Sequence, residues 1–204
     1  MYDPATYWGQ SKAGVDLGLD HPIHKIHFDN ILAMLKDKGI ESVLEIGAGY
    51  GRITRLLVEN LPDLKHYDAL EISPYRAQAA IGYVPPRKFL NIIVDNFESF
   101  KATRMYDLVI SVECLMHQLP SKIEAWIRKM IALSKRFVMN LDWYEENYKG
   151  PIAEWNFIHD YEDLYLSFGV NTLDSWPISS NQWLYLAEVD QLSRVPPYLR
   201  KSFH

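Results

Sequence analysis

Glu45-Ile46-Gly47-Ala48-Gly49-Tyr50-Gly51 is the stretch whose residue types and spacing could do chemistry. A short apolar run, Val43, Leu44 and Ile46, closes around a carboxylate, and three glycines follow at alternate positions. Ile53-Thr54-Arg55-Leu56-Leu57-Val58 then returns apolar residues at helical spacing, so the order reads strand, Gly-rich turn, helix. Such a turn lets a ligand approach the backbone with no Cβ in the way. The helix beyond it offers unpaired N–H groups and the positive end of its dipole. A nucleotide-like ligand is predicted.

The spacing E-x-G-x-G-x-G brings the third glycine one residue early for the dinucleotide fingerprint G-x-G-x-x-G. Glu45 would also repel a pyrophosphate and attract a cation. Two further acids close predicted strands. The run from His66 ends on Glu71, where a ribose diol can be bound, and Asn91-Ile92-Ile93-Val94 ends on Asp95. Beyond the apolar run Tyr106 to Val112, Glu113 and His117 are spaced so that both could share one helical face, the carboxylate orienting the imidazole. An imidazole titrating near neutrality can accept a proton from an acceptor group. His21, His24 and His27 recur every third residue, but their directions splay around a helix and no acid or cysteine stands at ligand spacing. One of them facing the site is predicted in place of a metal centre. Cys114 reads as a small core residue and not a nucleophile.

These segments resemble the class I S-adenosylmethionine (SAM)-dependent methyltransferases, whose first motif has the form V-L-E-I-G-x-G-x-G, as at residues 43–51 here. The likeness covers about residues 40–190 and is strongest at 43–54, 67–72 and 106–111. It implies an α/β fold, a Rossmann-like three-layer sandwich with a mostly parallel seven-stranded sheet and a C-terminal antiparallel strand pair. It also implies SAM as cofactor and S-adenosylhomocysteine as product. By family position Glu45, Gly47, Ala48, Gly49 and Gly51 would surround the methionine part. Glu71 would hold the ribose, with Ile72 against the adenine face. Asp95, Asn96 and Phe97 would receive the adenine, and Ser111 would also lie on the cofactor side. Tyr7, Trp8, His117 and Trp155 are the expected acceptor-side residues, and His117 with Glu113 the expected catalytic pair. Methyl transfer from SAM is an in-line displacement, so holding the reactants in line comes first, and a base is needed only when the acceptor must lose a proton.

The elements that must position these residues can be read in order. A helix over 22–38 carries Ile23, Ile26, Ile31, Leu32 and Leu35 on one face, stopped by Gly39. Strand and turn occupy 42–51, a helix 52–60 and a strand 66–73, and Ser73-Pro74 caps a helix through Ile81. Strands follow at 91–95, 106–113 and 135–142, with an amphipathic helix at 122–133. The aromatic insert 143–159 is expected to roof the acceptor pocket. Asp160 caps a helix to Phe168, and strands at 170–176 and 182–189 close the sheet. Residues 1–20 read as a lid and 194–204 as a loose tail.

With 204 residues, 48% hydrophobic and 23% charged, the chain suits a single domain with one sizeable core. Its net charge of -5 supplies no basic face for nucleic acid, and no Asp/Asn-Pro-Pro-Tyr/Phe motif of the amino-methylating DNA enzymes follows the fourth strand. One cysteine and no apolar run long enough for a membrane span point to the cytoplasm. The expectation is a methyltransferase acting on a small-molecule acceptor through O or N, as a monomer or homodimer. The alternatives are an NAD-dependent oxidoreductase and a non-catalytic SAM-binding partner protein.

Overall fold

The structure, a computed structural model, describes residues 2–10, 21–145, 150–170 and 172–190. In chain order the elements are α1 (Pro4–Gly9), α2 (Pro22–Leu35), β1 (Ser42–Ile46), α3 (Arg52–Asn60), β2 (His66–Glu71), α4 (Pro74–Tyr83), β3 (Leu90–Val94) and β4 (Tyr106–Val112). A 3-10 turn, Leu115–His117, leads to α5 (Ile123–Leu133), β5 (Ser134–Trp143), β6 (Gly150–Ala153), β7 (Asn156–Ile158), α6 (Tyr161–Ser167), β8 (Thr172–Ser179) and β9 (Gln182–Glu188). Seven strands form one sheet in the order β3-β2-β1-β4-β5-β9-β8, and β6 and β7 make a separate antiparallel pair. β1 pairs in parallel with β2 and β2 with β3, whereas β9 runs antiparallel to both β5 and β8. Every residue of β1 and of β4 is buried. That explains why both read as unbroken apolar runs: a parallel strand covered on both faces has no solvent side to alternate with.

The chain divides into two compact units, residues 1–101 with 110–112, and residues 102–109 with 113–204. In the first, β1, β2 and β3 carry α1 to α4. Ser73 caps α4 by accepting from the Arg76 amide, and Pro74 starts it, as the sequence predicts. α2 differs from expectation. It ends at Leu35 and not at 38, because Lys36 is extended and Asp37 takes a left-handed φ of 59°. Its buried side is His24, His27, Ile31 and Leu35, while Ile26 is 44% exposed. Two histidines therefore stand on the buried side, which the apolar face read from sequence did not include.

In the second unit, β5 and the β8–β9 hairpin carry α5 and α6. Asp160 accepts from the Asp163 amide to cap α6, and Gly169, at φ 71°, follows its end. The 143–159 insert holds the β6–β7 hairpin and is not wholly irregular. β8 begins and ends later than predicted, at Thr172 and Ser179. Of the segments read from sequence, 11–20 in the lid, 146–149 in the insert and the 194–204 tail lie outside the described residues.

Candidate active site

The Gly-rich turn is held from beneath. The amides of Gly47 and Ala48 both donate to the Leu70 carbonyl at 2.9 Å, and Gly51 donates to Ala48 at 2.9 Å. The Gly49 amide donates to Glu71 Oε2 at 2.7 Å, and Glu71 Oε1 accepts from the Ser73 amide at 2.8 Å. Four amides that a phosphate would require are thus already engaged, one of them by a carboxylate. This turn is shaped against phosphate. Gly51 and Gly49 are glycines for different reasons. At Gly51, with φ 89°, an added Cβ would stand 2.5 Å from Val84 Cγ2, so the position packs the turn onto α4. At Gly49, with φ 58°, a Cβ would meet nothing within 4 Å, so the space is open to a ligand.

Glu45 is 3% exposed. Its Oε2 accepts from Thr54 Oγ1 at 2.5 Å and from the Tyr67 hydroxyl at 2.7 Å, and burial pushes its pKa up to about 7. The full negative charge assumed from sequence is therefore only about half present at neutral pH, and the turn's engaged amides are the stronger discrimination against pyrophosphate. Beside it Arg52, the first residue of α3, reaches His27 Nδ1 at 3.3 Å. Nδ1 can only accept from a guanidinium, so the His27 proton resides on Nε2. The three-histidine pattern resolves accordingly: His21 Nδ1 caps α2 by accepting from the Ile23 amide, His24 stacks near Phe28, and His27 supports Arg52.

Farther along the strand ends, Asp95 Oδ1 accepts from the Asn96 amide at 2.7 Å and Ser99 Oγ at 3.2 Å, and Asn96 Oδ1 caps the Glu98 amide. Phe97 is 3% exposed. Ser111 Oγ is buried with no hydrogen-bond partner. α1 lies against the segment after β2: a Cβ on Gly9 would be 3.8 Å from Ile72, and the Arg76 guanidinium sits 4.9 Å from the Trp8 ring centroid. Trp8 Nε1 donates to the Tyr2 hydroxyl, and Tyr7 meets Trp8 edge to face. Trp8, one of the two aromatics expected at the acceptor, thus lies beside Arg76, and Tyr7 packs on Trp8.

In the second unit, the residues after β4 do not form the helical face that the Glu113-x-x-x-His117 spacing suggested. Glu113 takes a left-handed φ of 52°, and only Leu115–His117 make a single 3-10 turn. A non-glycine residue held there stores about 1 kcal/mol or more of strain, a feature concentrated at functional sites. Glu113 Oε1 accepts from Gln182 Nε2 at 2.7 Å. His117 Nδ1 bonds the Trp155 carbonyl at 2.9 Å. A carbonyl only accepts, so Nδ1 carries the proton and Nε2 is left as the lone-pair, basic nitrogen. His117 and Trp155 are thus brought together, and the group bonded to the imidazole is a backbone carbonyl, not the Glu113 carboxylate expected from sequence.

Sequence reasoning missed what lies behind this loop. Asp142 is wholly buried on β5; its Oδ1 accepts from the Met116 amide at 3.1 Å and its Oδ2 from Asn140 Nδ2 at 2.9 Å. Tyr165 on α6 donates to Asn140 Oδ1 at 2.9 Å. Burial, with the neighbouring Glu113 charge, pushes Asp142 up to about 7. His159 is held neutral, its pKa pushed down by burial to about 4. The readable signal was an acid and an amide at i, i+2 near the end of a strand, which places both on one face. Thr54 and Tyr67 were missed because their meeting with Glu45 depends on strand register, Val43 lying opposite Tyr67 and Glu45 opposite Ala69.

Residues 44–136 match a family model described as a methyltransferase domain. No curated protein matches the chain in sequence. Among solved structures, magnesium protoporphyrin IX methyltransferase (ChlM) from Synechocystis PCC 6803, with bound SAM, is similar at 16% identity and TM-score 0.66, covering 93% of this chain and 99% of that one. N-methyltransferase NodS from Bradyrhizobium japonicum WM9, with S-adenosylhomocysteine, gives 14%, 0.67, 92% and 97%. A SAM-dependent methyltransferase from Leishmania major gives 20%, 0.70, 91% and 81%. Residues 44–136 thus carry the match to a methyltransferase domain, and the chain shares its fold with these SAM-dependent methyltransferases.

Proposed function

We propose that this methyltransferase transfers the methyl group of SAM to a nitrogen or oxygen of a small-molecule acceptor, and that residues 1–204 act as a single domain in doing so. The observation that carries the reading is the turn after β1, whose amides are engaged with Leu70, Ala48 and Glu71 while the space over Gly49 is open. Such a surface suits the amino-acid end of a nucleoside in preference to phosphates. When bound, SAM supplies a methyl carbon already activated by a sulfonium. Glu45, Gly47, Ala48, Gly49 and Gly51 hold the methionine end, with Glu71 at the ribose, Ile72, Asp95, Asn96 and Phe97 at the adenine and Ser111 at the cofactor's edge. Glu71 receives the ribose only by sharing or giving up its bonds to Gly49 and Ser73.

On the acceptor side, His117 Nε2 takes the proton that an ammonium or hydroxyl acceptor must lose, while the Trp155 carbonyl fixes the ring. Glu113 and Trp155 contact the acceptor. The net charge of -5 supports a small acceptor over nucleic acid. No helix among the described residues is long and apolar enough to cross a membrane, and a cytoplasmic location is part of the proposal.

The test is calorimetric titration with S-adenosylhomocysteine and, separately, NAD, followed by methyl-group release from labelled SAM over a panel of small amines, hydroxy acids and transfer RNA. S-adenosylhomocysteine binding alone, with turnover on a small molecule, is expected. NAD binding would revive the oxidoreductase reading. Cofactor binding with no turnover on any extract fraction would leave a non-catalytic partner protein.

A further inference from the structure

Among the bonds that hold the loop from Glu113 to Gln118 are Gln182 to Glu113, the Trp155 carbonyl to His117, the Leu141 carbonyl to the Glu113 amide, and Asp142 to the Met116 amide. The first two reach side chains. The other two fix its backbone: the Leu141 carbonyl holds its start, and Asp142, wholly buried, holds its middle at Met116, which is 8% exposed. The residue type at 142 follows from its neighbours. Two N–H donors, from Met116 and Asn140, converge on its two oxygens, so a group that accepts at both ends is required. Behind it the donors align in series, Tyr165 O–H to Asn140 and Asn140 N–H to Asp142, tying α6 through β5 to the loop. Tyr161 is also buried, and Asp142 is the first charge acting on it.

We propose that Asp142 is the positioning residue of the acceptor-side loop: through the Met116 amide it sets where His117 presents Nε2. This rests on the reading of His117 as acceptor-facing. Asp142 touches neither cofactor nor acceptor in this role. Its ionisation is what the loop senses. A carboxylate accepts at both oxygens, whereas the protonated acid must turn one oxygen into a donor, which opposes Asn140 or Met116. The titratable groups facing it are Glu113 from the loop, Tyr161 and Tyr165 from α6, and Tyr185 from β9, with Cys114 facing Tyr161 in turn. The tyrosines are all pushed up by burial, so none titrates near neutrality.

The experiment is a pH titration by NMR of the full chain saturated with S-adenosylhomocysteine, following the Met116 amide and the His117 ring in wild type, Asp142→Asn and Tyr165→Phe. In wild type both resonances are expected to show an inflection near pH 7, in addition to that of the His117 ring itself. In Asp142→Asn the inflection disappears from both and the His117 ring shifts at all pH values. Tyr165→Phe, which leaves Asp142 in place, keeps the inflection but displaces it. Persistence of the inflection in Asp142→Asn overturns the proposal. So does an inflection at Met116 that never reaches His117. Failure to bind S-adenosylhomocysteine would defeat the cofactor assignment instead, and the titration of the unliganded chain would still read the loop.

Discussion

Gly49 and Gly51 differ by two positions and by everything that surrounds them. Gly51→Ala forces a Cβ to 2.5 Å from Val84 at a left-handed φ, so a loss of about 2–4 kcal/mol in urea unfolding is expected. Gly49→Ala meets open space and should cost only about 1 kcal/mol of backbone strain, yet abolish S-adenosylhomocysteine binding by calorimetry. Equal destabilisation of the two variants would contradict the packing described. Glu71→Ala strips the acceptor from the Gly49 and Ser73 amides and removes the expected ribose partner, so affinity should fall roughly 10- to 150-fold, the range of a lost charged hydrogen bond. Glu71→Gln, which can still accept at one oxygen, should lie between. At this scale the glycines and Glu71 were legible because a turn of that spacing needs those residue types. Asp142 was not, because the two donors that require a carboxylate come from Asn140 on its own strand and Met116 on a distant loop.

The shortest helix makes the clearest element-scale prediction. α1 is anchored by Asp3, whose Oδ2 accepts from the Thr6 amide and hydroxyl, and by Arg76 over Trp8. A helix of 6 residues has little stability of its own, so its docking depends on those contacts. Trp8→Ala removes a cation–π contact worth about 1 kcal/mol and should scarcely change the unfolding midpoint. It should accelerate S-adenosylhomocysteine dissociation several-fold in stopped-flow, as loss of a cover over the nucleoside would. An unchanged off-rate would remove α1 from the binding surface. The aromatic pair was visible in the sequence, but its seating was not, because that depends on Arg76 reaching Trp8 from α4. The same lesson holds for α2, where periodicity placed the helix correctly and assigned Ile26 to a face that the structure gives to His24 and His27.

At the scale of the whole molecule, the buried carboxyls of Glu45 and Asp142 and the buried imidazole of His159 make stability vary with pH. Glu45 and Asp142 are both pushed up by burial to about 7, so each lends stability that is complete below its unfolded pKa and lost as pH rises through 7. His159 is pushed down to about 4, so its contribution is lost in the opposite direction, as pH falls from 6.5 towards 4. Above about pH 6.5 the carboxyls act alone, and unfolding free energy should drop by on the order of 1–2 kcal/mol between pH 6.5 and 8. Glu45→Gln should remove roughly half of that slope in urea melts, and a flat profile in wild type would show that neither carboxyl retains its proton. What the residues alone determined was the order of strands and helices, the strand–turn–helix at 42–60 and the class of chemistry, because each follows from local periodicity and from residue types that a turn requires. Tertiary structure decided which groups meet: Thr54 and Tyr67 on Glu45, Gln182 on Glu113, Asp142 on Met116. Those meetings are fixed by strand register and by loops returning from far along the chain, and no local spacing encodes them.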